Sequence, residues 1–171
     1  MNGFLDALHA NGPAADRADK MALYGQFIGS WDLDVIEFHD DGPRKRSGEW
    51  HFGWALEGRA VQDVWIVPRR GERHGDAVAQ SNRYGTTLRT YDPRIDAWQI
   101  QWTEPVGQTY LTQVGRAGGG DIVQIGKSAN GRTVRWSFRE ITPNSFFWVG
   151  ETSGDGETNW KRVVEFRARR R

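Results

Sequence analysis

Asp63, Arg89, Glu151 and Arg162 carry the chemistry of this sequence, because hairpin geometry puts each on a strand face shared with large apolar side chains. Cross-strand partners share a face, and turn residues fix the partners. In "WHFGWALEGRAVQDVW" a turn at Glu57-Gly58 pairs Trp50 with Trp65, Phe52 with Asp63 and Trp54 with Val61, so Asp63 turns inward with the aromatic stripe. In "YDPRIDAW" a four-residue loop sets Tyr91 opposite Trp98, Arg89 opposite Ile100 and Thr87 opposite Trp102. In "ANGR" the pair Asn130-Gly131 predicts a two-residue type I′ turn. It sets Ile125 against Trp136 and Val123 against Phe138, with Arg135 and Arg139 outside. Carried through Pro143-Asn144, that register puts Glu151 inside beside Trp136 and Trp148 outside against Arg139. On the last strand Trp160, Arg162, Val164 and Phe166 face in, with Arg162 diagonal to Glu151.

An isolated buried charge costs several kcal/mol unless it is paired or hydrated. Three functional readings follow. A Trp-rich cavity walled by Trp50, Trp54, Trp65, Trp98, Trp102 and Trp136 takes a small apolar or aromatic molecule, with Asp63, Arg89, Glu151 and Arg162 as polar handles. Alternatively, Asp63 or Glu151 acts as general acid or base in a cofactor-free cyclase, isomerase or hydratase, since an apolar pocket raises a carboxyl pKa. In the third reading the interior is filled, the charges form a structural network, and the outer face binds protein. The Trp50–Trp65 hairpin has a second candidate lining on its opposite face, which carries His51 and Gln62.

These residues need strands to position them. Pro13 to about Ile28 reads as one helix, with Ala14, Ala15, Ala18, Ala22 and Leu23 favouring it and Met21, Tyr24, Phe27 and Ile28 near a 3.6-residue period. From Trp31 on, ten strand-like runs follow, each bounded by Gly, Pro, Asn or Asp. They are 31–38, 47–56, 59–67, 82–91, 97–103, 109–114, 122–128, 132–141, 145–153 and 159–167. Short connections make an antiparallel meander, and ten strands expose two edges unless they close. The sequence therefore predicts one all-β domain over 1–171, a closed up-and-down barrel over about 30–167 with one N-terminal helix, wide enough for a ligand. The connection Pro68–Ser81 is the longest, and is either a hairpin tip or a flap at the barrel mouth.

Composition bounds the partners. In 171 residues, 23 Lys+Arg balance 22 Asp+Glu, which leaves no broad footprint for nucleic acid or anionic lipid. The basic run Arg167–Arg171 reads as a solvated tail. No apolar run approaches the roughly 20 residues of a membrane span, and no signal peptide is visible. With no Cys there is no disulfide or thiolate chemistry, and the expectation is a cytoplasmic monomer or homodimer. Four scattered His give no metal spacing, "GGGD" is a turn that opens no helix, and no Ser sits in a nucleophile elbow. No metal and no cofactor are expected. Nine Trp are more than packing needs, and flat indole walls suit flat ligands.

Gly29-Ser30-Trp31 in "FIGSWDLDV" resembles the Gly-x-Trp opening of the calycin superfamily, the lipocalins and fatty-acid-binding proteins. Together with "LEGRAVQDVW" and "YDPRIDAW", the order of elements is similar to bacterial lipocalin-like domains of unknown function. The resemblance implies a barrel whose closed end is plugged by Trp31. It also implies a ligand carboxylate read near Arg162, although Val164 stands where the fatty-acid-binding proteins carry Tyr. Haem-binding nitrobindins share the shape but need an inward His. Here His51 faces outward, and His39 and His74 lie in loops.

Overall fold

The computed structural model describes residues 2–73 and 82–171. Ten antiparallel strands close into a barrel: β2 (Gly29–His39), β3 (Gly42–Ala55), β4 (Ala60–Val67), β5 (Arg83–Asp92), β6 (Ala97–Glu104), β7 (Thr109–Gly118), β8 (Asp121–Ser128), β9 (Thr133–Arg139), β10 (Ser145–Ser153) and β11 (Lys161–Arg170). Each pairs with its neighbour in the chain, and β11 pairs with β2 to seal the sheet. The short strand β1 (His9–Ala10) lies against Ala55 and Trp54 of β3, beyond the point where β2 begins. Of the expected flap Pro68–Ser81, residues 68–73 include a short 3₁₀ turn at Arg70–Glu72, and 74–81, with His74, lie outside the described residues.

The helix is shorter than its sequence pattern. A 3₁₀ turn at Ala15–Arg17 leads into α2 (Ala18–Gly25), while α1 (Gly3–Leu8), which has no apolar periodicity, carries no buried residue. Gly25, the last residue of α2, lets Trp54 pack against the helix: a Cβ there would lie 2.4 Å from the Trp54 ring. Met21, Tyr24 and Phe27 plug one end of the barrel, packed with Trp31, Phe52, Phe138 and Phe146. This is the end that carries the connections 56–59, 93–96, 119–120 and 140–144. The opposite end, here called the mouth, carries 40–41, 68–73, 105–108, 129–132 and 154–160.

Two hairpins have the register that their turns predict. Trp50 faces Trp65 and Phe52 faces Asp63, and Arg89 faces Ile100 and Thr87 faces Trp102. Two others are shifted by one residue. At "ANGR", Lys127 pairs with Thr133, and only Gly131 has positive φ (79°). A type I′ turn needs positive φ at both central residues, so the loop is the three-residue kind that ends in a left-handed Gly. Gln124, not Ile125, then faces Trp136, and Ile122 faces Phe138.

At Pro143-Asn144 the two-residue turn does form, with the Thr142 N–H donating to the Ser145 carbonyl at 2.8 Å. Glu140, however, adopts φ 50° and acts as an inserted residue, so Phe138 pairs with Trp148 and Arg135 with Glu151. A single-residue slip exchanges the two faces of a strand. Trp148 is therefore inside and Glu151 outside, the reverse of the expectation.

The basic run at Arg167–Arg171 is also not a loose tail. Arg167 pairs with Glu140, Arg169 with Asp34, and Arg171 with Asp32 and Glu49. The Arg170 guanidinium stacks 4.1 Å from the Trp31 ring and donates to the carbonyls of Gln26, Ile28 and Pro143 at 2.7–2.8 Å. It thus ties the end of α2 to the last strand.

Candidate functional site

The barrel interior is layered. Above the plugged end lies a band of buried polar side chains. Asp63 and Arg89, both with fully buried side chains, are joined directly. The Thr87 N–H also donates to Asp63 Oδ1 at 3.2 Å. Arg89 Nε donates to Gln124 Oε1 at 3.3 Å, and the Tyr24 hydroxyl donates to the same oxygen at 3.0 Å. Gln124 and Gln113 are bonded to each other at 3.2 Å. Four rings, Tyr24, Trp50, Phe52 and Phe138, surround the Arg89 guanidinium at 5.1–6.0 Å, the range of cation–π attraction. Burial pushes the Tyr24 hydroxyl pKa well up, so the phenol donates and stays neutral.

Toward the mouth the polar band gives way to an aromatic collar. Trp65, Trp102, Trp136, Trp148 and Phe166 form a closed ring of neighbours, with successive centroids 5.9, 5.7, 5.4, 4.7 and 6.2 Å apart. Trp50 is the floor, 6.3 Å from Trp148 and 5.3 Å from Phe166. Five different strands, plus β3 for the floor, each contribute one ring, which is possible because every inward strand position points at the axis. The collar lines a half-open cavity of about 140 Å³, also bordered by Arg83, Thr87, Thr109 and Val164. Gly85 makes room for it: a Cβ there would lie 2.2 Å from the Trp102 ring.

The polar atoms at this cavity are mainly donors. Trp102 Nε1 donates to Thr109 Oγ1 at 3.2 Å. The Nε1–H groups of Trp50, Trp65 and Trp148 are buried and meet no acceptor among the described residues, and neither does Arg89 Nη2. The charged side chain at the lining, among the described residues, is Arg83.

The expected site residues thus separate into four places. Trp50, Trp65, Trp102 and Trp136 come together at the cavity. Asp63 and Arg89 lie in the band beneath it and are committed to each other. Trp54 packs on α2, and Trp98 stands at the plugged end, 4.7 Å from Tyr24. Glu151 and Arg162 are outside: Glu151 bonds Arg135 at 2.9 Å, and Arg162, 42% exposed, bonds Glu165 at 2.5 Å. They are cross-strand partners, and a bulge at Gly150/Glu151 breaks the alternation of β11 so that Arg162 joins Glu151 on the outer face. His51 faces outward too, between Ser30 Oγ at 2.9 Å and Glu49 at 3.1 Å. Trp148, Phe166 and Val164 complete the cavity. Trp148 sits in the unbroken apolar run Phe146–Val149, where alternation is silent and only the turn count assigns a face.

No protein-family model matches the chain, and no curated protein matches it. Among solved structures, the crystal structure of Rv2717c from M. tuberculosis aligns with a TM-score of 0.63 at 11% identity, over 90% of this chain and 98% of that one. The structure of EF1p2_mFAP2b bound to DFHBI aligns with a TM-score of 0.43 at 15% identity, over 89% of this chain and 98% of that one. The first likeness establishes a shared barrel fold. No helix among the described residues is long and apolar enough to cross a membrane.

Proposed function

We propose that this protein binds a small planar aromatic or apolar molecule inside the mouth-side half of its barrel. The carrying observation is the aromatic collar around open volume: four indoles and a phenyl ring encircle about 140 Å³ over a Trp50 floor. An apolar cavity of about 150 Å³ is large enough for benzene. The ligand portion that enters is therefore about one ring in size, smaller than a drug-sized pocket takes. The plugged end is filled by Met21, Tyr24 and Phe27.

Acid–base catalysis draws little support from this geometry. Glu151 lies outside, Asp63 is held by Arg89 and Thr87, and no carboxylate lines the cavity among the described residues. We also place the chain among calycin-type barrels. Trp31 of Gly29-Ser30-Trp31 is buried at the plugged end, its Nε1–H bonded to the Phe27 carbonyl at 2.7 Å.

The test is toluene titration followed through Trp emission, with Val164→Phe as the filled-cavity control. Saturable quenching in the native protein and its loss in V164F, with thermal stability kept, is the expected result. Equal response in both proteins would place the probe outside the collar and end the proposal.

A further inference from the structure

We infer that the guest carries a neutral hydrogen-bond donor at its outward end, a phenol-type hydroxyl read by the Glu37 carboxylate at the barrel mouth. The inference rests on the collar cavity being a binding site and names the substituent that this site selects. The end that enters is apolar. The indole N–H groups of Trp50, Trp65 and Trp148 are themselves buried, Trp102 Nε1 is taken by Thr109, and Asp63 and Arg89 are joined to each other in the layer below. A polar group carried in with the ring would lose its water bonds with little to replace them.

A polar group left at the mouth meets a different surface. Strand β2 turns Trp31, Leu33 and Val35 inward, all buried, and the same alternation brings Glu37 inward two residues farther on. Glu37 is the cross-strand partner of Val164, which borders the cavity, so the two side chains share a face at the cavity edge. The Glu37 side chain is 15% exposed. Arg46 Nε lies 3.2 Å and His39 Nε2 3.7 Å from it, and both contacts fall on Oε2. No hydrogen bond reaches Oε1 from the described residues. Buried polar atoms are normally hydrogen-bonded, and an ionised carboxylate can only accept. The complement of that oxygen is a donor. Arg46 beside it already offsets the negative charge, which leaves little to draw in an ammonium group, and the carboxylate repels an anion. A hydroxyl on the outward side of the ring meets both conditions.

Three probes of one ring each isolate that hydrogen: phenol donates, anisole has the same oxygen without its hydrogen, and toluene has neither. Ligand-observed NMR titrations on the native chain give their affinities. Phenol should bind about fivefold or more above anisole, the scale of one charge-assisted hydrogen bond made partly in competition with water. Glu37→Gln keeps the shape and removes the charge, and Glu37→Met removes the acceptor. Each should cut phenol affinity about fivefold or more while toluene affinity holds within about twofold. A merely structural role for Glu37 would move both ligands alike. Near-ultraviolet circular dichroism checks that each variant is folded, and two variants guard against loss of either one.

Anisole binding as tightly as phenol, or variants in which the phenol and toluene affinities move together, would overturn the role of Glu37 and leave the aromatic-binding proposal standing. Binding by none of the three would overturn both.

Discussion

Asp63→Asn provides a direct test of the buried polar band. The carboxylate and the Arg89 guanidinium are both fully buried, so neither charge has water to fall back on. Neutralising Asp63 leaves a buried cation without its counter-charge, its Nε still bonded to Gln124 and its Nη2 already lacking an acceptor among the described residues. Breaking one side of a buried ion pair costs about 3–5 kcal/mol. The four surrounding rings offset a fraction of this, which favours the lower half of the range. At a urea m-value of about 2 kcal/mol/M the midpoint should fall by about 1.5–2 M. Adding Arg89→Met removes the stranded cation and fills its volume, so the double variant should recover about 2 kcal/mol relative to D63N. Equilibrium urea unfolding of wild type, both single variants and the double gives the coupling energy. Strictly additive losses would refute the idea that these residues are committed to each other, and Asp63 would again be available for chemistry.

Further expectations concern other parts of the barrel. Gly85→Ala drives a Cβ into the Trp102 ring and should cost about 1–3 kcal/mol by overpacking and weaken arene binding, read by urea unfolding and probe titration. Arg170→Ala unties α2 from β11 and should cost about 2–3 kcal/mol, a fall of about 4–12 °C in Tm by calorimetry. Glu49, nearly buried on the outer face, is held far below the usual carboxylate range, first by its hydrogen bonds from the Arg70 side chain. Its folded-state pKa is depressed, so its stabilisation is present above the ordinary carboxyl value of about 4.5 and is lost as pH falls below it. Unfolding free energy should therefore decline more steeply between about pH 6 and about pH 3 in wild type than in Glu49→Gln.

Sequence legibility followed the turns. Where a turn's residues admit one geometry, as at Glu57-Gly58 and in "YDPRIDAW", the pairing that brings Asp63 and Arg89 inside could be counted out. Where a loop could take two lengths, at Asn130-Gly131, the count was off by one. The extra residue at Glu140 left no mark, because Glu is an unusual residue for a left-handed conformation. That one bulge moved Trp148 into the cavity and Glu151 to the outer face, and a second, at Gly150/Glu151, took Arg162 out with it, so both expected handles form ion pairs on the outer face. Most of the collar and its floor were visible, because Trp50, Trp102 and Trp136 alternate with polar residues and the Glu57-Gly58 turn assigns Trp65 its face, whereas Trp148 lies within an apolar run and Phe166 read only as core. The roles of Arg167–Arg171 were hidden for another reason. Their partners, Asp32, Asp34, Glu49 and the carbonyls at the end of α2, are far off in the chain.

The β2–β11 seam also has a consequence for how the chain reaches this state. All other barrel pairings join neighbours in the sequence, whereas the pairs from Val164–Glu37 to Arg170–Trp31 join residues well over a hundred positions apart. Loop-closure entropy opposes such long-range contacts, so the meander can assemble by local steps and the seam is the slow one. During synthesis, β2 to β10 emerge as an open curved ribbon with two unpaired edges and the collar split apart. That ribbon is the sticky species of this fold, vulnerable to edge-to-edge association until β11 arrives. The arginines of β11, which meet Asp34 and the end of α2, then serve as the clasp that makes closure worth keeping.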